Sequence, residues 1–328
     1  MIVITGGAGF IGSNILEALN RRGESDLVVI DWLGTESKWR NIAKREIRDI
    51  VPPEQVLSYL SSHADQISAV IHMGAVSSTV ERDVDLIINS NFRLSWNLYC
   101  FCRDFHKQFI YASSAATYGD GGQGFEDHGD LEYLRSLRPL NPYGWSKALF
   151  DVRLARERAN DGKTPRQCVG FKFFNVYGPN EYHKGGQKSV VAHIAPSVMA
   201  DKPVELFRSY QPDYPDGGQL RDFVWVGDCA DVVCWFLDNP QVSGLFNVGS
   251  GEARSFYDLA KATWNAFGKP EQIKYKEMPE ELKDRYQYYT RANLDKLRQA
   301  GYVRPMTSLE DGISMYVKNH LAQTEPYL

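Results

Sequence analysis

The sequence predicts an α/β protein in which a doubly wound parallel sheet carries a smaller α/β lobe. Short β-branched runs alternate with helical periods through the first half of the chain, which is the pattern of a parallel sheet covered on both faces. A glycine-rich turn follows the first of these runs. After about residue 178, short elements and loops rich in Gly, Pro and Tyr replace the long alternation. Loops of this kind often bind ligands, so the second half predicts a ligand-facing lobe.

The individual elements follow from periodicity along the chain. A first strand–helix–strand unit is expected at residues 2–5, 13–23 and 26–31, where β-branched runs flank apolar residues at helical spacing. The later predictions are a strand and turn at 67–75, a long helix at 87–105, a strand and polar loop at 108–119, a helix at 143–160, and a single strand at 167–179 that leads into a Gly-Pro turn.

The composition is typical of a globular protein. The chain has 328 residues, of which 43% are hydrophobic and 24% are charged, enough for a sizeable core. The net charge is −4 and no basic block stands out, which argues against a nucleic-acid partner. No apolar run approaches the ~18 residues of a membrane span, and the start of the chain lacks signal-peptide features. We therefore expect a cytoplasmic protein with no membrane partner.

The cysteines have no metal-ligand spacing and are odd in number, so we expect no metal site. Free thiols buried in a reducing compartment are the expectation for them. They are Cys100, Cys102, Cys168, Cys229 and Cys234.

The glycine-rich turn has the spacing of a phosphate-binding loop. Gly6, Gly9 and Gly12 lie between a strand and a helix in "TGGAGFIG". The first glycine permits the tight turn, the second lets the backbone approach a pyrophosphate, and the third lets helix and strand pack closely. With Phe10 and Ile11 these residues would place backbone N–H groups and the positive helix end against phosphates.

An acidic residue ends the second strand and bears on the choice of cofactor. Asp31 lies nineteen residues past Gly12, where a carboxylate binds the ribose 2′-OH of NAD. Lys38 and Arg40 follow shortly after Trp32, and a cation there could hold the 2′-phosphate of NADP instead. The residues leave both cofactors open.

The unit as a whole predicts a Rossmann-like, NAD(P)-binding domain. This domain covers mainly residues 1–178, and a substrate-binding lobe covers mainly 179–328, with segments of 220–250 returning to the first domain. The stretch "HMGAVSS" (72–78) ends a later strand, where Met73, Gly74, Ala75 and Ser77 would let the cofactor cross the sheet edge. An ordinary strand–loop junction is the alternative for this stretch.

Tyr143 and Lys147 lie four residues apart in "YGWSK". One helical turn places both side chains on the same face. A nearby ammonium and the positive charge of an oxidised nicotinamide would favour the phenolate, whose phenol has an ordinary pKa of ~10. Tyr143 could then act as a general base, although the spacing alone also arises by accident in many helices.

Five motifs occur in order between residues 5 and 232: "TGGAGFIG", "YASSAATYG", "NPYGWSK", "FKFFNVYGP" and "RDFVWVGDCADV". Together they resemble the extended short-chain dehydrogenase/reductase superfamily, whose members act on nucleotide-activated sugars. A narrower resemblance, to the ADP-heptose 6-epimerase family of bacterial lipopolysaccharide core synthesis, is carried by "FNVYGPNEYHKG" and "LKDRYQYYTRANL". Segments 120–140 and 208–218 are longer than that family's pattern, near the presumed substrate mouth.

The resemblance implies an isomerase that works by transient oxidation. C6 of ADP-D-glycero-D-manno-heptose would be oxidised to a 6-keto intermediate and re-reduced on its opposite face, giving the L-glycero epimer. Tyr143, Lys147 and Ser114 would serve the first face, and Lys184 in "HKGG" would supply an acid for the second. A plain phosphate-binding or surface lysine is the alternative for Lys184. The cofactor would be tightly bound, one per subunit of a homo-oligomer, and we expect NADP with NAD as the alternative.

The same resemblance implies the rest of the site. The cofactor-binding residues would be Gly6, Gly9, Phe10, Ile11, Gly12, Asp31, Trp32, Lys38, Met73, Gly74, Ala75, Ser77, Asn91, Lys147 and Val176, with Asn91 also bracing the central helix. The substrate-binding residues would be Ser114, Thr117, Asn175, Lys184, Gly186, His193, Phe207, Arg221 and Tyr286. The alternatives are a core histidine for His193, a salt bridge to Asp222 for Arg221, and core packing for Tyr286.

Two rival functions remain at this stage. Another epimerase, dehydratase or reductase of the superfamily would not need Lys184, and a dehydratase would want an acid in the Ser114–Thr117 loop, where "SSAAT" has none. A cofactor-binding regulatory protein without catalysis would usually lose Tyr143 or Lys147, and this chain keeps both.

Overall fold

The computed structural model describes residues 1–160, 162–283 and 286–328. Its strands in chain order are β1 (Ile2–Thr5), β2 (Leu27–Ile30), β3 (Asp49–Val51), β4 (Ala69–His72), β5 (Gln108–Ser114), β6 (Gln167–Phe173), β7 (Asn175–Tyr177), β8 (Val204–Phe207), β9 (Leu220–Trp225), β10 (Gly244–Val248), β11 (Ala253–Ser255) and β12 (Ile273–Lys276).

The α-helices alternate with these strands. They are α1 (Phe10–Arg21), α2 (Val56–Ser62), α3 (Val84–Ile88), α4 (Leu94–Asp104), α5 (Leu131–Ser136), α6 (Pro142–Ala159), α7 (Val190–Met199), α8 (Val226–Asp238), α9 (Phe256–Ala266), α10 (Glu280–Lys283), α11 (Asp295–Gln299) and α12 (Leu309–Tyr316). A π-helical segment, Asn89–Arg93, joins α3 to α4 into one helical run.

The main sheet has seven strands in the order β10-β6-β5-β4-β1-β2-β3. Every neighbouring pair in it is parallel. Successive side chains point to opposite sides of a strand, and helices cover both faces of the sheet. Ile4 of β1 packs in the core that holds α1 and α8, whereas Val3 packs in the core that holds α2, α4 and α6. The predicted doubly wound α/β fold is confirmed.

The smaller lobe forms around two further sheets. β7, β9 and β11 make one sheet, and β8 pairs in parallel with β12. Helices α7, α9 and α12 enclose a separate core in which Trp264 is completely buried. β10 belongs to the main sheet although it follows the lobe strand β9 in the chain.

The structure corrects the strand predicted at residues 167–179. Two strands occupy this stretch and they lie in different sheets, β6 in the main sheet and β7 in the lobe. The break is at Phe174, whose backbone N–H donates to the carbonyl of Val248 at 3.0 Å. The chain therefore leaves the main sheet before β7, ahead of the Gly-Pro turn at residues 178–179. Strand β3 and helix α2 were not predicted.

The described part of the chain contains neither a membrane-spanning helix nor a metal-binding cluster. None of its helices combines the length and the apolar composition that crossing a membrane would require. Its His, Cys, Asp and Glu side chains form no cluster of three or more that could hold a metal. Cys102, Cys168, Cys229 and Cys234 are buried free thiols, and Cys100 is a partly exposed one.

Candidate active site

The glycine loop is packed too tightly for any side chain. Gly6 has φ 66°, in the left-handed region, and a Cβ on it would lie 2.5 Å from the backbone nitrogen of Gly74. A Cβ on Gly12 would lie 2.1 Å from the carbonyl oxygen of Gly6. No side chain in the described residues caps α1 at Gly9, so its first N–H groups face outward from the loop. This geometry fits the pyrophosphate of a nicotinamide dinucleotide.

The carboxylate of Asp31 is held between the loop and a lysine. It accepts from the backbone N–H of Ala8 at 3.0 Å and from Lys38 Nζ at 2.6 Å. Lys38 also donates to the carbonyl of Trp32 at 2.8 Å. The acid and the cation that pointed to different cofactors therefore form one ion pair at the end of β2.

A cavity of about 560 Å³ runs from this loop to the ends of β4, β5 and β6. It brings together most of the residues that the sequence indicated. Those that line it are Gly6, Gly9, Phe10, Ile11, Gly12, Asp31, Trp32, Lys38, Met73, Gly74, Ala75, Ser77, Ser114, Tyr143, Lys147, Val176 and Lys184.

Tyr143 and Lys147 lie in the first two turns of α6. Asn141 caps this helix by accepting from the N–H of Gly144 at 2.8 Å, and Pro142 occupies the first turn. A Cβ on Gly144 would lie 2.6 Å from the carbonyl oxygen of Ala116. The first turn of α6 therefore packs directly against the turn that carries Ser114.

Both side chains of the pair are desolvated. Burial lowers the pKa of Lys147 to about 8, although Asp151 raises it in part. Lys147 Nζ donates to the carbonyl of Ala112 at 2.8 Å. Burial raises the pKa of Tyr143, and a hydrogen bond with the Ser114 side chain offsets this only in part. Without a bound cofactor, desolvation dominates the phenol pKa. The expected lowering depends on Lys147 together with the positive charge of an oxidised nicotinamide, and it stays a prediction.

Lys184 reaches the cavity from another side. It lies in a 3₁₀ segment, Tyr182–Gln187, and its Nζ is 5.4 Å from the centre of the Phe10 ring. Burial lowers the pKa of Lys184, and the neighbouring Glu181 carboxylate opposes that shift. A partly desolvated ammonium is therefore placed over the first turn of α1.

Arg221, Tyr286 and Phe207 form a separate cluster in the lobe, outside the cavity lining. The Arg221 guanidinium lies 5.2 Å from the centre of the Tyr286 ring, and the Tyr286 and Phe207 rings are 6.4 Å apart. Burial lowers the pKa of Arg221. Among the described residues Arg221 has no ion pair, since the Asp222 carboxylate accepts from the backbone N–H groups of residues 250, 251 and 292. The alternative of an Arg221–Asp222 salt bridge is wrong.

Two predicted contacts are corrected by burial. Thr117 is completely buried, and its hydroxyl donates to the carbonyl of Ser114 at 2.8 Å, so it cannot form the wall of a substrate site. Asn91 is also completely buried, and its amide bonds to both backbone groups of Val76 and to Ser146 Oγ. Asn91 is a brace behind the cavity and not a cofactor contact.

The remaining predicted residues lie on the lobe side and outside the cavity lining. His193 is exposed, and its Nε2 is 3.3 Å from the carbonyl of Gly186, so it is not a core histidine. Asn175 is exposed at the start of β7, and Gly186 is exposed in the 3₁₀ segment.

The structure adds residues that sequence reasoning missed. His183 lines the cavity beside Lys184, and burial lowers its pKa to about 4. Lys172 and Asp151 form an ion pair of 3.1 Å with both side chains buried. The signals were adjacency to the lysine for His183 and the position one turn after Lys147 for Asp151.

The fold and the site residues described above match a known protein family. The NAD dependent epimerase/dehydratase family matches residues 2–249. The chain belongs to this family. The family resemblance drawn from the motifs is thereby confirmed.

Members of the family resemble the chain over its full length. It is 47% identical to the ADP-L-glycero-D-manno-heptose-6-epimerase of Nitratidesulfovibrio vulgaris (strain DP4), over 100% of both chains. It is 46% identical to the enzyme of the same name from Fusobacterium nucleatum, again over 100% of both.

Solved structures of the family agree in fold. The Helicobacter pylori ADP-L-glycero-D-manno-heptose-6-epimerase has a TM-score of 0.79 at 28% identity, with 97% of this chain and 95% of that chain covered. A Thermus thermophilus UDP-glucose 4-epimerase, solved in complex with NAD, has a TM-score of 0.76 at 28% identity, with 98% and 99% covered.

Proposed function

We propose that this protein epimerises C6 of ADP-D-glycero-D-manno-heptose to give ADP-L-glycero-D-manno-heptose. One observation carries the proposal: Tyr143, Lys147 and Lys184 line the same cavity as the glycine loop. Two proton-transfer groups on different elements suit a reaction that treats both faces of one carbon. The 47% identity to an enzyme named for this epimerisation supports the choice of substrate.

The chain's own residues supply acid–base chemistry and orientation. Tyr143 takes the proton of the C6 hydroxyl, with Ser114 hydrogen-bonded to the reacting oxygen. The Lys147 ammonium stabilises the phenolate. When bound, an oxidised nicotinamide dinucleotide supplies a hydride acceptor and a positive charge beside the phenol. Once the other face of the 6-keto sugar is presented, Lys184 donates the proton that completes the epimer.

Arg221 and Tyr286 would bind the nucleotide end of the substrate. A guanidinium fork matches the oxygen geometry of a diphosphate. In this chain it lies 5.2 Å from the Tyr286 ring and has its pKa lowered by burial, so a diphosphate would compensate a desolvated charge. Asn175, Gly186, His193 and Phe207 would line the sugar and nucleotide path between the two groups.

NADP is the cofactor that we propose, held tightly with one per subunit. The Lys38–Asp31 ion pair supports it, because the lysine neutralises the carboxylate that would otherwise repel a 2′-phosphate. Extracting the cofactor from purified protein by denaturation and weighing it by mass spectrometry tests this proposal. Recovery of NAD alone would contradict it.

The proposal extends to the cellular location, the pathway, the assembly and the domains of the protein. The nucleotide-sugar substrate fits a cytoplasmic enzyme of lipopolysaccharide core synthesis, which would work as a homo-oligomer. We divide the chain into a cofactor-binding domain, mainly residues 1–178, and a substrate lobe, mainly residues 179–328, with β10 in the former.

The deciding experiment is to incubate the purified protein with ADP-D-glycero-D-manno-heptose, without added cofactor, and follow C6 by NMR. Formation of both epimers is the expected result, and it also requires that cofactor co-purifies. No conversion even with NADP and NAD added would overturn the heptose assignment. A panel of other nucleotide sugars would then separate another epimerase, dehydratase or reductase of the family from a protein that only binds cofactor.

A further inference from the structure

A buried charge network lies directly behind the catalytic turn. The Asp151 carboxylate accepts from the hydroxyls of Tyr111 at 2.9 Å and Ser113 at 2.7 Å. It also pairs with the ammonium of Lys172 at 3.1 Å. Lys172 donates in addition to the hydroxyl of Thr117. Three separate elements, β5, β6 and α6, therefore meet at one carboxylate.

The network is tied to the residues proposed for catalysis. Ser113 precedes Ser114 on β5, and the Thr117 hydroxyl donates to the carbonyl of Ser114. Asp151 follows Lys147 by one helical turn on α6, which places both on one face. The turn that carries Ser114 and the helix that carries Lys147 are thus anchored to the same buried ion pair.

Burial of this pair is costly. The Lys172 side chain is 0% exposed and that of Asp151 is 1% exposed, and removing two charges from water is often not repaid by their attraction. Apolar residues of similar volume would serve stability as well or better. Stability alone therefore does not account for charges in this position.

We propose that Asp151 is a positioning residue of the reaction: its carboxylate places a negative charge one helical turn from Lys147 and locks the turn that carries Ser114. The proposal rests on the proposed function for its chemical meaning. Asp151 does not line the cavity, so it acts through Lys147 and Ser113 and not on the substrate.

The electrostatics around Lys147 agree with this role. Burial lowers the pKa of Lys147 to about 8 and Asp151 is the group that raises it. The other titratable groups around Lys147 and Asp151 are Tyr143 on the same helix, His72 on β4, Tyr111 on β5, Tyr118 in the following turn, and Cys168 and Lys172 on β6. Burial raises the pKa of the Cys168 thiol, which is therefore neutral. His72 is neutral near pH 7, since burial lowers its pKa to about 3, and a neutral phenol adds no charge. Asp151 is then the counter-charge for both buried lysines.

The test is Asp151→Asn, with Tyr111→Phe as the matched control. Both changes remove part of the same hydrogen-bond cluster, but only the first removes the charge. Protein labelled with ¹³C at lysine Cε reports the titration of Lys147, assigned through Lys147→Arg. We expect the Lys147 midpoint to fall by about one pH unit or more in Asp151→Asn and to stay in place in Tyr111→Phe.

The pH profile of epimerisation provides the second readout. A lower Lys147 pKa means that its ammonium is lost at lower pH, so the alkaline limb of kcat should move down in Asp151→Asn by the same amount. The effect should appear in kcat and not in KM. A wild-type protein without turnover contradicts the proposed function, whereas the NMR titration still tests the inference.

Two results would overturn the inference. An unshifted Lys147 midpoint in Asp151→Asn removes the electrostatic role, and an equal shift in Tyr111→Phe assigns the effect to loosened packing. If Asp151→Asn does not fold, the double variant Asp151→Asn with Lys172→Gln replaces the ion pair by neutral amides. Relative to Lys172→Gln, which already lacks the repelling Lys172 ammonium, the double variant should show the same downward shift of the Lys147 midpoint, and its absence is equally decisive.

Discussion

Two walls of the cavity each present a desolvated lysine, Lys147 buried and Lys184 half-buried, and they are built in different ways. Lys147 lies on α6, an eighteen-residue helix packed over the main sheet. Lys184 lies in a six-residue 3₁₀ segment that contains Gly185 at φ 52°. Burial lowers the pKa of both lysines, and a carboxylate opposes the shift in each case: Asp151 for Lys147 and Glu181 for Lys184.

The difference lies in what holds each carboxylate. Asp151 is held by the main sheet: it accepts from Tyr111 and Ser113 on β5 and pairs with Lys172 on β6. Glu181 is held by the neighbouring loop and the lobe: it accepts from Ser189 and, at 3.1 Å, from the hydroxyl of Tyr316 at the end of α12. The wall that carries Lys147, the sheet wall, is therefore anchored in the main sheet, whereas the wall that carries Lys184, the loop wall, depends on packing against the last helix.

The largest expected effect is the loss of the Tyr143 phenol from the sheet wall. Tyr143→Phe removes the proposed base while the ring keeps its packing, so epimerisation should fall about 10³-fold with cofactor content unchanged. NMR rates on ADP-heptose and absorbance of released cofactor measure the two quantities. Tyr59→Phe, a tyrosine outside the cavity, is the control. A rate within tenfold of wild type in Tyr143→Phe would remove this residue from the mechanism.

In the loop wall, the group to test is the Lys184 ammonium. Lys184→Met keeps the length of the side chain but cannot donate a proton, so epimerisation should fall about 10²-fold. Lys188→Met is the matched control, because Lys188 directly follows the same segment and does not line the cavity. The same NMR assay measures both variants. Equal losses would mean that the segment's conformation matters and that the Lys184 ammonium does not.

The packing of the glycine loop, which lines the cavity together with the two walls, is tested by measuring the free energy of unfolding. Gly12→Ala places a Cβ 2.1 Å from the carbonyl oxygen of Gly6, and such overpacking should lower the free energy of unfolding by about 2 kcal/mol. Urea denaturation at fixed cofactor concentration measures it. Gly129→Ala has open space around the new Cβ and should change stability by less than about 0.5 kcal/mol. A Gly12→Ala protein as stable as wild type would contradict the packing.

The smallest effect is expected at the far end of the cavity. Lys38→Gln removes the cation next to Asp31, so affinity for NADP should fall about tenfold while affinity for NAD stays within about twofold. Titration of cofactor-stripped protein with each dinucleotide gives both constants. Arg40→Gln is the control, since Arg40 pairs with Glu325 and not with Asp31. Equal losses for the two cofactors would show that Lys38 does not read the 2′-phosphate.

The Tyr143–Lys147 pair and the glycine loop were predictable because their signals are local. Glycines at fixed spacing between a strand and a helix, an acid at the end of the next strand, and a phenol and ammonium one turn apart can all be read in order. The structure gathers these residues around one cavity. Lys184 and Arg221 carried no local pattern and came only from family resemblance.

Burial decided the points on which the sequence misled. Thr117 looked like a wall residue because it follows Ser114 closely, but the turn directs its hydroxyl inward to Lys172. Desolvation raises the phenol pKa in the protein without cofactor, an effect that the spacing of Tyr143 and Lys147 does not reveal. Neither exposure nor the balance between desolvation and charge can be read from spacing.

By itself, the sequence determined the alternation of strands and helices, the phosphate loop and the Tyr143–Lys147 pair, because these depend on neighbours within a few residues. Only the tertiary structure decided that Asp151 and Lys172 share a buried charge pair. It also decided that Glu181 is anchored by a hydroxyl 135 positions away in the chain. Such contacts arise from how distant segments pack, and packing is a property of the whole fold.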